Sequence, residues 1–273
     1  MSKNVGELPH ALREREALEG RLGGKKPAVF LDYDGTLTPI VERPEDALIS
    51  EGMRETVGEL AERCPVCVVS GRDRRVVQEL MGLDGLIVAG SHGFDIWSPE
   101  GGEIRHAPAE AREGVGALME EVKARLREEA AALEGALVEE KSAAVAIHYR
   151  LVPEPERPRV KGIVDAVLAE HPDELKVTPG KMVYEVQPNI DWDKGKAVLY
   201  LLEALGLDEE EAVPIYLGDD LTDEDAFAAL AGRGIGVFVG VADDPELAGR
   251  TTSADYVLDS VDEVERFLSA LAR

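Results

Sequence analysis

Two acidic side chains stand where a short apolar run ends near the start of the chain. Asp32 follows the apolar residues 28–31, and Asp34 stands two positions further on. An uninterrupted apolar run of this length predicts a strand that is buried on both faces, as in a parallel sheet. Strand side chains alternate, so both carboxylates start out on one side, at the carboxyl end where open α/β sheets bind ligands. Two carboxylates this close repel each other unless a cation or a shared proton intervenes, which favours a role in chemistry.

Polar residues follow other apolar runs in the same way. Because the carboxyl ends of parallel strands meet at one edge of a sheet, residues far apart in the chain are expected to converge there. Five carboxylates in one crevice are tolerable only around a hard cation, and a set of oxygen ligands favours Mg²⁺. A calcium EF-hand is excluded, because the position that must be glutamate is Arg43 when the loop is counted from Asp32. The converging groups are the Ser70 hydroxyl, the Lys194 ammonium and the carboxylates of Asp32, Asp34, Asp219, Asp220 and Asp223.

This set of groups suits phosphoryl transfer. A carboxylate attacks phosphorus when a metal and a lysine neutralise the phosphoryl oxygens, so Asp32 is the predicted nucleophile and Lys194 its partner. Asp34 would protonate the leaving alcohol and then activate water. A hydroxyl and backbone N–H groups would hold the phosphoryl oxygens. The predicted phosphate-binding residues are Gly35, Thr36, Ser70, Gly71 and Lys194.

Two residues beside these motifs leave alternatives open. Arg72 either contacts the phosphate or pairs with a nearby carboxylate. His92 either contacts the substrate or is a structural histidine. We include both among the predicted substrate-binding residues.

Strands and helices alternate through both ends of the chain, which is typical of a doubly wound parallel sheet. Between these ends the pattern is helix, strand, strand, helix, strand, strand, which predicts an α+β unit with helices on one face of its sheet. The predicted fold class is therefore α/β. A Rossmann-like core of residues 1–103 plus 189–273 carries an inserted α+β cap of residues 104–188.

Local signals make three further predictions. Spaced leucines in a charged stretch predict a helix over residues 7–22. The pair Gly101-Gly102 resembles a hinge. Thr222, with Asp225 three residues later, is the expected side-chain cap of a helix.

Four short motifs, in order along the chain, resemble those of haloacid-dehalogenase-superfamily phosphatases. They are Asp32-Tyr33-Asp34-Gly35-Thr36, Ser70-Gly71-Arg72, Lys194-Gly195 and Gly218-Asp219-Asp220-Leu221-Thr222-Asp223. Longer stretches are similar to the trehalose-phosphatase family within that superfamily, and with them the resemblance covers most of residues 28–260. These stretches are residues 31–40, 90–93, 145–150, 181–186 and 218–227.

The resemblance implies a Mg²⁺-dependent phosphatase that hydrolyses trehalose 6-phosphate to trehalose and phosphate through an aspartyl-phosphate. It implies that Mg²⁺ is bound by Asp32, the Asp34 main-chain oxygen and Asp219, with Asp220 and Asp223 in or next to that shell. A related phosphatase for sucrose phosphate, a glycosyl-phosphoglycerate or a hexose phosphate is the alternative. A phospho-signalling or sugar-sensing domain is disfavoured, because such a domain would lack the insertion or one of the first two acids.

The resemblance also implies that the cap grips the disaccharide. The residues carried over for this role are Glu139, Arg150, Lys181 and Glu185. Glu140 is an alternative to its neighbour Glu139. Lys181 and Glu185 are expected on one face of a strand, because their spacing is even.

The composition limits the partners. Thirty Lys and Arg against 55 Asp and Glu give a net charge of −25, which repels nucleic acids and anionic membranes. No apolar leader opens the chain and no run is long enough to span a bilayer, so we expect a cytoplasmic protein. Its expected partner is a small-molecule sugar phosphate, and a monomer is the default. Cys64 and Cys67 are expected on opposite faces of a strand as core residues, not as a redox pair.

Overall fold

The structure, a computed structural model, describes part of each of two compact units. The described residues are 3–41, 43–99, 102–104, 109–141, 143–180, 182–207, 211–241, 247 and 249–272. The core unit consists of Met1–Ile104 and Trp192–Arg273, and the inserted unit of Arg105–Asp191.

Strands and helices alternate along most of the described chain. The strands are β1 (Lys3–Asn4), β2 (Lys26–Leu31), β3 (Val66–Val69), β4 (Ile87–Gly90), β5 (Asp95–Ser98), β6 (Gly102–Ile104), β7 (Leu137–Glu140), β8 (Val145–His148), β9 (Leu175–Gly180), β10 (Val183–Pro188), β11 (Ala212–Gly218), β12 (Ile235–Val239), β13 (Thr251–Thr252) and β14 (Tyr256–Leu258). The helices are α1 (Arg15–Leu22), α2 (Glu51–Ala61), α3 (Arg74–Met81), α4 (Ala109–Ala130), α5 (Arg157–Glu170), α6 (Lys194–Ala204), α7 (Asp223–Ala229) and α8 (Val261–Leu271).

Within the described residues, the core unit contains a mixed sheet of eight strands in the order β14-β12-β11-β2-β3-β4-β5-β6. Neighbouring strands from β14 to β4 are parallel, whereas β5 pairs antiparallel with both β4 and β6. The predicted α/β class is confirmed, but the sequence pattern does not predict the antiparallel edge. Only the short turn Ser91–Gly93 and one further residue separate β4 from β5, and so short a connection returns the chain antiparallel.

Helices cover both faces of this sheet, because successive strand residues point to opposite sides. On one face Val29 and Leu31 pack with residues of α2, α3 and α8. On the other face Ala28 and Phe30 pack with residues of α6 and α7. The two layers together give the doubly wound architecture.

The two cysteines lie in different layers. Cys64 packs in the first layer and Cys67 in the second, and both are buried, free thiols. The prediction that they are core residues on opposite faces is confirmed.

Strand β2 lies at the point where the order of the strands in the sheet reverses. The chain proceeds from β2 through β3 and β4 toward one edge, whereas β11, β12 and β14 extend toward the other. Such a reversal opens a crevice at the carboxyl ends of the two central strands. The Asp32 N–H donates to Leu217 O over 3.0 Å, which carries the pairing of β2 with β11 up to the first acidic motif.

The helix predicted over residues 7–22 is wrong for its first half. Helix α1 begins only at Arg15, after a short 3₁₀ turn at Val5–Glu7. The intervening segment runs along the sheet edge, where Ala11 N donates to Val257 O and Val257 N donates to Pro9 O, each over 3.0 Å. Proline has no N–H to give to a helix, and here only its carbonyl is used.

Thr222 does not cap α7 with its side chain, contrary to the prediction. Its backbone is helical, with φ −68° and ψ −18°, whereas a capping residue has extended dihedrals that direct its oxygen to the first N–H groups. The nearby backbone N–H groups of Asp219 and Asp220 instead donate to the Asp223 carboxylate.

The described residues of the inserted unit form an antiparallel sheet of four strands in the order β7-β8-β10-β9. Val145, Ile147 and Val186 point to one face and pack with apolar residues of α4 and α5. The opposite face carries the polar side chains. This arrangement is the α+β architecture that the sequence predicts.

Two further observations concern the expected hinge and the membrane. Gly102 begins strand β6, while Gly101 lies outside the described residues, so the hinge stays a prediction. No helix in the described part of the chain combines the length and apolar character needed to cross a bilayer.

Candidate active site

Three carboxylates come together in the crevice between β2 and β11. Asp32 follows β2, Asp219 follows β11, and Asp223 is the first residue of α7. Each offers an oxygen that lies within 4.8 Å of the others. The crevice therefore collects acids from positions almost 200 residues apart in the chain, as parallel strands that share one edge allow.

Lys194 supplies the opposite charge. It begins α6, whose N-terminus is capped by the Asp193 side chain, and it is only 3% exposed. Its Nζ donates to Asp32 Oδ1 over 2.8 Å and to Asp223 Oδ1 over 2.7 Å. Burial alone would lower the pKa of Lys194, but Asp223 and Asp32 outweigh burial and raise it. The side chain is thus a fixed ammonium between two carboxylates.

Asp223 is saturated by donors and has no exposed surface. Its Oδ1 accepts from Lys194 and from the Tyr216 hydroxyl, the latter over 2.6 Å. Its Oδ2 accepts from the backbone N–H groups of Asp219 and Asp220, over 3.0 and 2.9 Å. Because each carboxylate oxygen has two lone pairs, a cation could bind Asp223 directly only by displacing one of these donors.

Asp220 stands apart from the carboxylate cluster. Its residue is exposed, and its Oδ1 accepts from the neighbouring Leu221 N–H over 2.7 Å. Only its backbone contacts Asp223. Its expected place next to a metal shell stays a prediction.

Gly35 and Thr36 lie in the turn that follows the first two acids. Gly35 has φ +82°, and a Cβ at this position would lie 2.1 Å from Asp219 Oδ2, so no other residue fits. The Thr36 hydroxyl is buried without a hydrogen-bond partner among the described residues, and so is Asp219 Oδ1. Buried polar atoms rarely stay unpaired, so these two fit a site that binds a polar ligand.

The Ser70-Gly71-Arg72 turn follows β3 at the same edge. Ser70 is buried, and its Oγ accepts from Arg72 N over 3.1 Å while its carbonyl accepts from His92 N over 2.8 Å. A Cβ on Gly71 would lie 2.8 Å from the His92 ring. The structure therefore places His92 against this turn, and its contact with a sugar stays a prediction.

Arg72 is paired with Asp34. Its Nε and one Nη each donate to a different oxygen of Asp34 over 2.6 Å, and the other Nη donates to Pro44 O over 2.8 Å. The guanidinium also lies 5.4 Å from the centre of the Tyr33 ring. Of the two alternatives for Arg72, the structure shows the pair with a carboxylate. This contact holds the Asp34 side chain against the Arg72 guanidinium.

The crevice has the electrostatics of a cation site. Burial raises the pKa of Asp32 to about 7, although the Lys194 ammonium opposes the shift. Burial, together with Asp32 and Asp223, raises the pKa of Asp219 to about 9. Each carboxylate is therefore poorly stabilised as an anion by the protein alone. A hard divalent cation fits this oxygen-only set, and Asp219 has an unpaired buried oxygen with which to bind it.

The inserted unit carries a polar row on the sheet face opposite its helices. Glu139 and Glu185 each lie opposite Ala146, so all three point to the same face. Glu139 Oε2 lies 2.8 Å from His148 Nε2, and Lys141 Nζ donates to Glu185 Oε2 over 2.6 Å. The row consists of Glu139, Lys141, His148 and Glu185.

The other predicted sugar contacts have different outcomes. Glu140 pairs with Arg127 of α4, on the helix-covered face, so Glu139 is the acid that shares a face with Glu185. Arg150 is exposed in the turn after β8. Lys181 lies outside the described residues. Strand β10 begins at Val183, and Met182 before it has φ +67°. The predicted place of Lys181 beside Glu185 stays a prediction.

The comparison with protein families agrees with this site. The model of the trehalose-phosphatase family matches residues 30–262, which include all the core motifs. The chain belongs to the trehalose-phosphatase family. Over 273 aligned residues it is 40% identical to the trehalose-phosphate phosphatase of Mycobacterium bovis (strain BCG / Pasteur 1173P2), covering 99% of this chain and 67% of that protein.

Two solved structures have this fold, one of a trehalose-6-phosphate phosphatase and one of a hydrolase with another name. The C-terminal domain of C. albicans trehalose-6-phosphate phosphatase superposes with a TM-score of 0.75 at 24% identity, covering 97% of this chain and 98% of that one. A haloacid dehalogenase-like hydrolase from Bacteroides thetaiotaomicron superposes with a TM-score of 0.63 at 18% identity, covering 90% and 99%. These structures show the haloacid-dehalogenase fold. Membership in the trehalose-phosphatase family makes the chain a phosphatase, a phosphoric monoester hydrolase.

Sequence reasoning missed two residues of this trehalose-phosphatase family member. Tyr216 stands in a buried parallel strand, and its hydroxyl needs a partner there, which is a signal that the sequence does contain. Lys141 follows β7 directly, but its contact with Glu185 depends on the pairing of β7, β8 and β10, which the sequence does not reveal.

Proposed function

We propose that the chain hydrolyses trehalose 6-phosphate to trehalose and inorganic phosphate, with Asp32 as the nucleophile and Mg²⁺ as cofactor. The observation that carries the proposal is the buried Asp32 carboxylate, held by the Lys194 ammonium and adjacent to Asp219 at the strand switch point. Membership in the trehalose-phosphatase family and the printed name of the 40% identical relative support the choice of substrate.

In this proposal Asp32 attacks phosphorus, and the bond between phosphorus and the sugar oxygen breaks. Asp34 gives its proton to the departing oxygen, then takes a proton from the water that hydrolyses the phosphorylated Asp32. Lys194 neutralises one phosphoryl oxygen. The Ser70 hydroxyl, together with backbone N–H groups at Thr36 and Gly71, holds the others. The Gly35 N–H is not one of these donors, because it donates to Thr38 O over 2.8 Å.

Mg²⁺ would be held by Asp32, the Asp34 main-chain oxygen and Asp219. When bound, it stabilises the negative charge that develops on the phosphoryl group. Asp223 stands behind these ligands, since its own oxygens are engaged by four donors. Asp220 contributes through its backbone N–H, which donates to Asp223 Oδ2.

The inserted unit is the proposed source of sugar specificity. Its polar row presents charged groups that make strong, directed hydrogen bonds to sugar hydroxyls. Glu139, Arg150, Lys181 and Glu185 carry this role, and Lys141 joins them because it contacts Glu185. Residues of the core do not separate trehalose 6-phosphate from sucrose phosphate, a glycosyl-phosphoglycerate or a hexose phosphate, so the inserted unit must do so.

The test is phosphate release from a panel of sugar phosphates, with Mg²⁺ and with chelator. We expect the highest kcat/KM with trehalose 6-phosphate and almost none with chelator. Asp32→Asn should lower kcat at least about 10³-fold, because an amide is no nucleophile. Asp46→Asn, the same exchange at an exposed residue, is the matched control.

The acid-quenched wild-type enzyme should carry phosphate on Asp32, located by mass spectrometry. Better turnover of another sugar phosphate would replace the proposed substrate. Substantial metal-dependent turnover by Asp32→Asn would remove Asp32 from its role.

A further inference from the structure

The Asp223 carboxylate connects three parts of the crevice. Its Oδ2 holds the loop after β11 through two backbone N–H groups, and its Oδ1 accepts from Lys194 and Tyr216. The two oxygens thus have separate tasks. One fixes the Asp219–Asp220 backbone, and the other acts on the lysine.

Lys194 is shared almost evenly between two carboxylates. Its Nζ lies 2.8 Å from Asp32 Oδ1 and 2.7 Å from Asp223 Oδ1. Where the ammonium lies therefore depends on how strongly each oxygen attracts it. A second donor on Asp223 Oδ1 takes part of that oxygen's negative charge and weakens its pull on the lysine.

The Tyr216 hydroxyl is that second donor. Tyr216 lies in β11, has no exposed surface, and its ring meets Phe227 edge-on at 5.6 Å. The ring cannot turn its hydroxyl to water, and the hydroxyl lies 2.6 Å from Asp223 Oδ1. Phenylalanine would fill the same space, so packing of the strand does not require the hydroxyl.

We propose that Tyr216 is a positioning residue, whose hydroxyl acts through Asp223 to keep the Lys194 ammonium on Asp32. The inference rests on the proposed role of Asp32 as nucleophile. Without the hydroxyl, Asp223 Oδ1 draws Lys194 toward itself, and Asp32 meets the phosphoryl group with less neutralisation. Loss of the hydroxyl therefore lowers kcat. The loop at Asp219 keeps its shape, since its backbone N–H groups still donate to Asp223 Oδ2.

The test is the kinetics of Tyr216→Phe with p-nitrophenyl phosphate and with trehalose 6-phosphate. We expect kcat to fall about tenfold with both substrates, the size expected for one hydrogen bond to a charged group. KM and the Mg²⁺ concentration for half-maximal activity should stay at wild-type values. Tyr256→Phe, a buried tyrosine in β14 of the same sheet, is the matched control and should keep the wild-type kcat.

A double-mutant cycle separates the proposed path from a general loss of packing. In the Asp223→Asn background the further exchange Tyr216→Phe should have little effect, because the residue through which Tyr216 acts has already changed. Equal effects of Tyr216→Phe in both backgrounds would overturn the proposal.

Other outcomes are equally decisive. An unchanged kcat would overturn the proposal, and so would a fall in kcat matched by lower Mg²⁺ affinity and a lower melting temperature. A Tyr216→Phe variant that does not fold would also overturn it, since the hydroxyl would then be a requirement of the fold. These results are obtained with the aryl phosphate even if trehalose 6-phosphate is not the substrate. Failure to find phosphate on wild-type Asp32 would instead overturn the proposed mechanism.

Discussion

At the scale of single residues, the pair between Arg72 and Asp34 has the most direct mechanistic consequence. A guanidinium that binds both oxygens of a carboxylate forms a strong and directional contact. In the proposed mechanism, Asp34 must give up at least part of this contact before it delivers a proton to the leaving oxygen. A phosphoryl dianion offers the guanidinium another pair of oxygens, so substrate binding itself could free the acid.

Arg72→Lys should therefore impair the reaction of substrates whose leaving group needs a proton. Lysine keeps the charge but cannot bind both oxygens of a carboxylate or a phosphoryl group. We expect kcat/KM for trehalose 6-phosphate to fall on the order of 10²-fold, the lower range for general acid catalysis. The loss with p-nitrophenyl phosphate should be much smaller, because nitrophenolate leaves without a proton.

The matched control for this exchange is Arg75→Lys, at an exposed arginine three positions further on in α3. Steady-state kinetics with the two substrates measure both losses. Equal losses would mean that Arg72 only binds the phosphoryl group.

The sequence predicted the groups of the crevice better than their contacts. Asp32, Lys194 and Asp219 could be expected together, because each stands at a strand end or helix start that the fold class brings to one edge. The partner of Arg72 could not be chosen, since it depends on the path of the turn from Asp34 to Pro44. Tyr216 was missed because a strand pattern shows that a residue is buried, not which acceptor its hydroxyl meets.

At the scale of elements, the four-stranded sheet of the inserted unit places two neighbouring glutamates on opposite faces. Glu139 points to the polar row, whereas Glu140 pairs with Arg127 of α4 on the opposite face, where both side chains are exposed. This separation follows from the alternation of strand residues. It turns an ambiguity in the sequence into a matched pair of variants.

Glu185→Gln should raise KM for trehalose 6-phosphate about tenfold or more, because a charged hydrogen bond to the sugar and the pair with Lys141 are both lost. Its kinetics with p-nitrophenyl phosphate should stay unchanged. Glu140→Gln, the same exchange on the opposite face, should leave both substrates unaffected. Initial rates over a range of each substrate test this expectation. A similar rise in KM for the aryl phosphate would contradict the role of the polar row in binding sugar.

Sequence patterns located most of these elements, and the exceptions have identifiable causes. The buried apolar run 28–31, for example, lies within strand β2 (Lys26–Leu31), as its pattern predicts. Strands β5 and β6 are short and weakly apolar, so their pairing depends on the turn after β4. The segment before Arg15 has leucines at helical spacing but pairs with the sheet edge instead, because Pro9 interrupts a helix there.

At the scale of the whole molecule, the buried carboxylates couple stability to pH and to the cation. In the metal-free protein burial raises the pKa of Asp32 to about 7 and that of Asp219 to about 9. In the unfolded chain an aspartate has a pKa near ~4, so the folded state binds more protons than the unfolded state between these limits. The contribution of these groups to stability is therefore complete below pH ~4 and is lost as pH rises through about 7 and about 9.

The melting temperature in chelator should accordingly fall between pH 6 and pH 9. In Mg²⁺ the fall should be smaller, because a cation replaces the protons on these carboxylates and binds only the folded form. The gap between the two melting curves should thus widen as pH rises. Calorimetry or fluorescence melting in both buffers measures it.

Asp219→Asn is the control for this expectation, because it removes one of the titrating groups. Its melting temperature in chelator should depend less on pH, and Mg²⁺ should stabilise it less. A gap that is constant over the range would show that the carboxylates of the crevice do not bind Mg²⁺ in competition with protons.

The burial of the two cysteines in separate layers has a practical consequence for experiments on folding. Burial raises the pKa of Cys64 to about 11 and also raises that of Cys67, so neither thiol is nucleophilic in the native protein. Each can be alkylated only after its own side of the sheet becomes accessible to the reagent. The alkylation rates of Cys64 and Cys67 therefore report separately on the partial opening of each side of the sheet, without any introduced label.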